Sequence, residues 1–208
     1  IGILVTGTEV FQGLIEDRFA PIITQKAQQH HCEVVKTLFA PDDADLIVQG
    51  VRDLLDAGAD FIIAALHWGD EGSYRVNDTQ RAQGHLAIDA GADFVYGSHT
   101  HCLQPIEEYG DGLILYSMGN WTFGGNTNPR DKDTFILRLT VERAADGTVS
   151  VTEREEIPCA CSGETGWNNY QPVLYDKDSE GYQRVLSKLN GTFSGSDLSI
   201  GYNYSNNE

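Results

Sequence analysis

Three histidines raise the question of chemistry. His67 closes the apolar run FIIAAL, and His99 and His101 stand one residue apart in GSHTH, just past the apolar run FVYG. Neutral imidazole is the commonest protein ligand for borderline metals, so these rings point to zinc, manganese or iron. A metal held this way polarises a phosphoryl or amide-like oxygen and lowers the pKa of a bound water. Two-metal hydrolysis also needs bridging carboxylates, with the ions about 3.5–4 Å apart. Glu9 after the first strand, Asp42 and Asp43 after the second, and Asp70 and Glu71 after His67 could serve. The candidate ligand set is therefore His67, His99, His101, Glu9 and Glu71, with the three histidines also the candidate catalytic residues. A single divalent metal, held by the histidines and one carboxylate or water, is the more modest form. The alternative is structural: histidines that cap strands and bond loop backbone.

A second candidate is the turn Thr6, Gly7, Thr8, Glu9 between the first strand and helix. Backbone amides there could hold an anion, and Glu9 could accept a bond from a substrate amine or a metal-bound water. The alternative is a tight turn that simply needs glycine. Asn120 either caps a turn or touches the site. Trp68 and Trp121 either wall the crevice or belong to the core. His85 falls mid-helix and reads as structural, and His30 and His31 end a helix, where a cation is favourable.

The elements that would position these residues alternate. IGILVTG, EVVKTLFA, DFIIAAL and DFVYGSH read as strands; EDRFAPIITQKAQQHH, DADLIVQGVRDLLDA and DTQRAQGHLAIDA read as the helices between them. Continuous apolar runs fit strands buried on both faces of a parallel sheet with right-handed crossovers. DAGADF occurs twice, before His67 and before His99, each time with a glycine (Gly58, Gly91) just past a helical segment, where a left-handed residue closes a helix. All three histidines then lie at strand carboxyl ends, where open α/β sheets place their ligands. Residues two apart on an extended chain share a face, which lets His99 and His101 point the same way. Phe19, Ile22 and Ile23, and likewise Ile47, Val51 and Leu54, have helical spacing and are expected to face the sheet. QPIEEYG, GLILYSMGN, TFILRLTVERA and VSVTEREEIP read as antiparallel strands, and SEGYQRVLSKLN as a last helix. GTFSGSDLSIGYNYSNNE reads as loosely ordered. The fold class is α/β: a layered domain with a mostly parallel sheet flanked by helices and a C-terminal antiparallel β extension. It divides at 1–64, 65–158 and 159–208, the first two sharing one sheet.

Composition narrows the partners. The chain has 208 residues, 14 Lys+Arg against 31 Asp+Glu, and a net charge of -17. Such a surface repels nucleic-acid phosphates and anionic lipid. No segment is long and apolar enough to span a membrane, and no signal peptide is visible. Ile1 lies directly in a strand, which leaves room for a leader, anchor or earlier domain. Four cysteines without paired CxxC units do not form a zinc ribbon and leave the redox compartment open.

The stretches ADFIIAALHWGDE, GADFVYGSHTHCLQPIEEY, LILYSMGNWTFG and IPCACSGETGWNNYQPVL resemble the CapA family of capsule or poly-γ-glutamate synthesis proteins over about Asp60 to Leu189. The resemblance implies a calcineurin-like metallophosphatase fold with metal-ligand positions at His67, His99 and His101. It also implies a small-molecule or polymeric anionic substrate and an extracytoplasmic or cell-surface setting. One departure is Trp121, where the family often has Phe. GILVTGTEVFQGLIEDRFAPII and EVVKTLFAPDD, over Ile1 to Ala64, instead resemble the molybdopterin-binding domain family. That resemblance implies a cytoplasmic pterin-phosphate site, but AALHWG stands where the family's TGG-x-S turn would be. The chain reads as a hybrid of the two, joined within GADFIIAAL. The leading expectation is a CapA-like metal-dependent phosphoesterase of weak or no turnover. The alternatives are a pterin-like anion-binding module and a catalytically silent fold.

Overall fold

The computed structural model describes residues 1–14, 16–122, 125 and 127–198, with the backbone alone at Glu9. The front of the chain alternates strand and helix: β1 (Gly2–Thr6), the single turn α1 (Thr8–Phe11), α2 (Phe19–Gln29), β2 (Lys36–Ala40), α3 (Ala44–Asp56), β3 (Ile62–Trp68), α4 (Asp78–Asp89) and β4 (Phe94–His99). Two short strands follow, β5 (Ile106–Tyr109) and β6 (Gly112–Leu115). Together the strands form a six-stranded sheet in the order β2-β1-β3-β4-β6-β5. Only the edge strand β5 runs antiparallel to its neighbour. Strands from both sides of residue 64 share this sheet.

The duplicated DAGADF has one physical meaning in both copies. Gly58 (φ 85°) donates to Leu55 O and Ala59 to Leu54 O; Gly91 (φ 112°) donates to Ile88 O and Ala92 to Ala87 O. Each glycine thus closes its helix with the paired bonds of a Schellman motif and turns the chain into the next strand. The second copy also braces the first. Asp93 Oδ2 accepts from Ile62 N at 2.7 Å, and Asp93 N donates to Ile62 O at 3.1 Å.

This brace makes stability depend on pH. Burial pushes the Asp93 carboxyl up to about 6, against the pull of the Ile62 N–H. Unfolded aspartate releases its proton near pH ~4. Between these values the native state binds the extra proton, so stability falls as pH rises through the window. Asp93→Asn keeps a carbonyl oxygen for Ile62 N and removes the titration. It is expected to flatten this slope and to raise stability at neutral pH. Urea midpoints near pH ~4 and ~7 check it, and an unchanged slope in the variant would refute the assignment.

Both faces of the sheet are covered. On one, α3 and α4 bury Ile47, Val51, Leu54, Ala87 and Ile88 against Leu4, Ile62, Ala64, Leu66 and Val95. On the other, α2 packs over Ile3, Val5 and Ala65. Beside it lie α5 (Glu180–Leu189) and a second, antiparallel sheet of β7 (Asp133–Arg143), β8 (Val149–Ala160) and β9 (Val173–Leu174). Phe135, Val185 and Leu189 meet Phe61, Phe94, Leu113 and Leu115 there. The expected α2 face is corrected at Ile22, which is 57% exposed. Phe19, 37% exposed, still sets its ring edge-on against Tyr96 of β4 at 6.3 Å, while Ala20 and Ala27 are buried and Ile23 is partly buried. The stripe Ala20–Ile23–Ala27 has the same helical spacing, and its small residues let the helix approach β1 closely.

The tail is also more ordered than its composition suggests. Asp197 accepts from Ser73 Oγ and Tyr74 N and pairs with Arg75 at 2.7 Å; Leu198 N donates to Gly72 O. Residues 199–208, the rest of the segment expected to be loose, lie outside the described residues. All described cysteines are free, and Cys102, Cys159 and Cys161 are buried. No helix among the described residues is long and apolar enough to cross a membrane.

Candidate functional site

β3 and β4 lie side by side with His67 opposite Ser98 and Trp68 opposite His99. Register partners share a sheet face, so a regular pleat would keep His67 and His99 on opposite faces. Yet their rings are neighbours, with centroids 4.6 Å apart and planes tilted by 55°. The pleat ends where this happens. His99 has φ 106° and His101 φ 57°, both in the left-handed region that favours glycine. Such conformations cost about 1–3 kcal/mol each and persist only where the surroundings over-determine them. Here Thr100, fully buried between the two, supplies that constraint. Its carbonyl accepts from Gly72 N at 2.7 Å, and its hydroxyl lies 2.8 Å from both Cys102 O and Ser117 Oγ. The extended backbone expected at His99 and His101 is therefore corrected: both have positive φ.

His101 has its own support. Its Nδ1 lies 2.7 Å from Asn120 Oδ1, and Asn120 Nδ2 donates to His101 O at 3.2 Å. Asn120 is buried, and the turn before it is fixed at several points. Leu103 and Met118 form a β-bridge, Met118 N donates to Gly97 O, and Gly119 (φ 68°) donates to Ser117 Oγ. Asn120 thus touches the site, the role that sequence reasoning left open beside turn capping. His67 is exposed, with Ser98 Oγ 3.4 Å from its Nδ1, and His99 and His101 are half-buried.

Beneath the histidines lies a tightly packed floor of apolar and buried polar groups. Trp68 is core rather than crevice wall: it is 7% exposed, stacks on Tyr116 and donates its indole N–H to Tyr116 O at 2.8 Å. Trp121 is 40% exposed. Gly69 (φ 91°) lets the chain turn off β3; a Cβ there would lie 2.7 Å from Gln80 Nε2 and 2.8 Å from Thr100 Cγ2. Gln80 bonds Gln104 at 2.8 Å and closes a capping box with Asn77 at the start of α4. His85, as expected, is structural; it stacks on Tyr109 at 3.7 Å and meets Glu107 at 3.1 Å.

The carboxylates expected to complete a metal site are mostly engaged elsewhere. Asp42 Oδ2 accepts from both N and Oγ1 of Thr8 at 3.2 Å, and Asp43 caps α3 through Leu46 N. Asp70 accepts from Asn77 Nδ2 at 3.0 Å, and Glu71 sits half-buried in the turn after Gly69. The side chain of Glu9 lies outside the described residues. Among those residues no group of three His, Cys, Asp or Glu side chains comes close enough to hold a metal ion. Among the described residues, the candidate donors seen side by side are the rings of His67 and His99. The anion-binding expectation for Thr6, Gly7, Thr8 and Glu9 meets an internal carboxylate instead. Thr8 N serves Asp42 and Gly7 N donates to Ala40 O at 3.2 Å, so these two donors tie β1 to β2.

The fold and edge define an α/β protein with paired imidazoles at the carboxyl ends of adjacent parallel strands. The family model of the bacterial capsule synthesis protein PGA_cap matches residues 3–125, and the chain belongs to that family. The match contains all three histidines, begins at residue 3, and so runs through GADFIIAAL, where a junction between two families was expected. Among relatives, the PGA biosynthesis protein CapA of Bacillus subtilis (strain 168) is 36% identical over 112 residues, covering 54% of this chain and 29% of that protein. The capsule biosynthesis protein CapA of Bacillus anthracis is 35% identical over 91 residues, 44% of this chain and 22% of that one. The matched stretch thus spans less than a third of either relative. Among solved structures, the protein CinA with unknown function from Thermoplasma acidophilum aligns over 83% of this chain and 84% of its own, at 12% identity and a TM-score of 0.35.

Proposed function

We propose that the chain serves capsule or polyglutamate synthesis through a phosphoesterase-type hydrolytic site at the ends of β3 and β4, acting on an anionic substrate. The observation that carries this reading is His99. Its backbone is held at φ 106°, and its ring lies 4.6 Å from that of His67. Strain maintained at a strand end, where α/β sheets bind ligands, is the pattern expected of a working site. His67 and His99 are the residues that would hold a divalent manganese, zinc or iron ion, which when bound would polarise a phosphoryl oxygen. His101 contributes a proton acceptor. With Nδ1–H donated to Asn120 Oδ1, its neutral ring carries the lone pair on Nε2.

His99→Gly tests this without confounding function and folding. Glycine adopts φ 106° freely, so the variant is expected to be at least as stable as the wild type despite the entropy glycine adds to the unfolded chain. Manganese uptake and turnover of an activated phosphodiester are both expected to fall at least tenfold. Equal uptake and turnover in the two proteins, or a metal-supplemented wild type that does neither, would overturn the proposal.

A further inference from the structure

We infer that Asn120 is a positioning residue that fixes both the proton and the orientation of the His101 imidazole. The inference rests on the reading of His101 as part of the working edge. It deepens that reading by naming the group that prepares the residue. The geometry decides the hydrogen assignment. Asn120 Nδ2 donates to His101 O at 3.2 Å, so the amide nitrogen faces the backbone and Oδ1 faces the ring. An amide oxygen only accepts, so at 2.7 Å the donor must be His101 Nδ1–H. The neutral ring is thereby the Nδ1–H tautomer, with Nε2 as its acceptor nitrogen. Histidine in water favours the opposite tautomer, so the protein has selected the one whose far nitrogen can take a proton or bind a cation. Oriented by a carbonyl oxygen, such a ring is prepared for a ligand in the manner of metal-site histidines.

The same amide also steadies the backbone. Its Nδ2 bond holds the carbonyl of a residue at φ 57°, where a β-carbon is disfavoured. One buried side chain, 5% exposed, therefore sets both ring and main chain. Its own place is fixed by the Leu103–Met118 bridge and the left-handed Gly119, so it acts as a rigid template. A role confined to the turn would require only the backbone bond and would leave the tautomer indifferent.

The test separates those roles. Long-range proton–nitrogen correlation spectra of nitrogen-15 histidine protein, metal-free and at alkaline pH, report the tautomer of each ring, and a His101→Gln sample identifies the His101 signals. The wild type is expected to show Nδ1–H at His101. Asn120→Ala is expected to revert to Nε2–H and to lose about tenfold to a hundredfold in phosphodiester turnover. Asn120→Asp keeps an acceptor but lacks the Nδ2 donor, so it is expected to keep the Nδ1–H form even if it is less stable. A wild type with Nε2–H, an Asn120→Ala protein with unchanged tautomer, or one with altered tautomer but full turnover would overturn the inference. If Asn120→Ala does not fold, the wild-type and Asn120→Asp spectra decide. A wild type without metal uptake or turnover would sink the proposed function, while the tautomer readout would still judge Asn120.

Discussion

Lys188→Ala is expected to cost about 3–5 kcal/mol, enough to leave much of the population unfolded at moderate temperature. Lys188 is 2% exposed, and its ammonium lies 2.7 Å from both Asp131 Oδ2 and Asp133 Oδ2. Those carboxylates are themselves 7% and 2% exposed. Burial opposes the ionisation of Asp133, but bonds from Arg184, at 2.7 and 2.8 Å, and the charge of Lys188 outweigh it and hold its carboxyl below the usual range. Removing Lys188 leaves Asp133 with the half-exposed Arg184 guanidinium and takes from buried Asp131 its ammonium partner. The loss reaches the site edge, because the ammonium also lies 4.7 Å from the Tyr74 ring and 5.0 Å from Phe193, beside the tail that straps the turn after Glu71. Urea denaturation of Lys188→Ala, beside Lys188→Met with Asp131→Asn, measures this. The double variant removes one stranded charge along with the cation and is expected to recover part of the loss. A single variant within 1 kcal/mol of wild type would mean the network contributes little.

How far all this could be read from sequence follows the range of the forces involved. The sheet was legible because its signals are local: apolar runs mark buried strands, and glycine after a helix marks its end, as at Gly58 and Gly91. The placement of His67 and His99 at strand carboxyl ends followed from the same logic, while the adjacency of those strands did not. The α2 face was misread at Ile22, because two apolar stripes compete there. Ile22 carries more area, but Ala20 and Ala27 allow closer packing, and only the sheet opposite decides between them. The left-handed backbone at His99 and His101 had no signal, since histidine does not announce positive φ as glycine does. Lys188 meets Asp131 and Asp133 across 57 and 55 residues, with no periodicity linking them. Asn120 was an even choice between two roles until the direction of its amide was known.

Gly97→Ala is expected to be the most damaging single methyl in the sheet, at about 4 kcal/mol or more once overpacking and a lost buried bond are combined. Gly97 lies mid-strand in β4, where the backbone itself would accept alanine. The obstacle is space: a Cβ there would sit 2.0 Å from Tyr116 O and 2.4 Å from Trp68 Nε1. These two atoms form the 2.8 Å bond that pins the indole under the site. One is backbone just past β6 and the other belongs to a stacked, buried ring, so neither can retreat at little cost. Either β6 moves away from β4 or Trp68 is driven from Tyr116 with its N–H left unpaired. Trp68 adjoins His67, so metal uptake should decline together with stability. A double-mutant cycle with Trp68→Phe separates the two costs. Phenylalanine has no N–H to strand and leaves more room, so Gly97→Ala is expected to cost at least 1 kcal/mol less in that background than in the wild type. Strict additivity of the two substitutions would show that the indole is not what the methyl displaces.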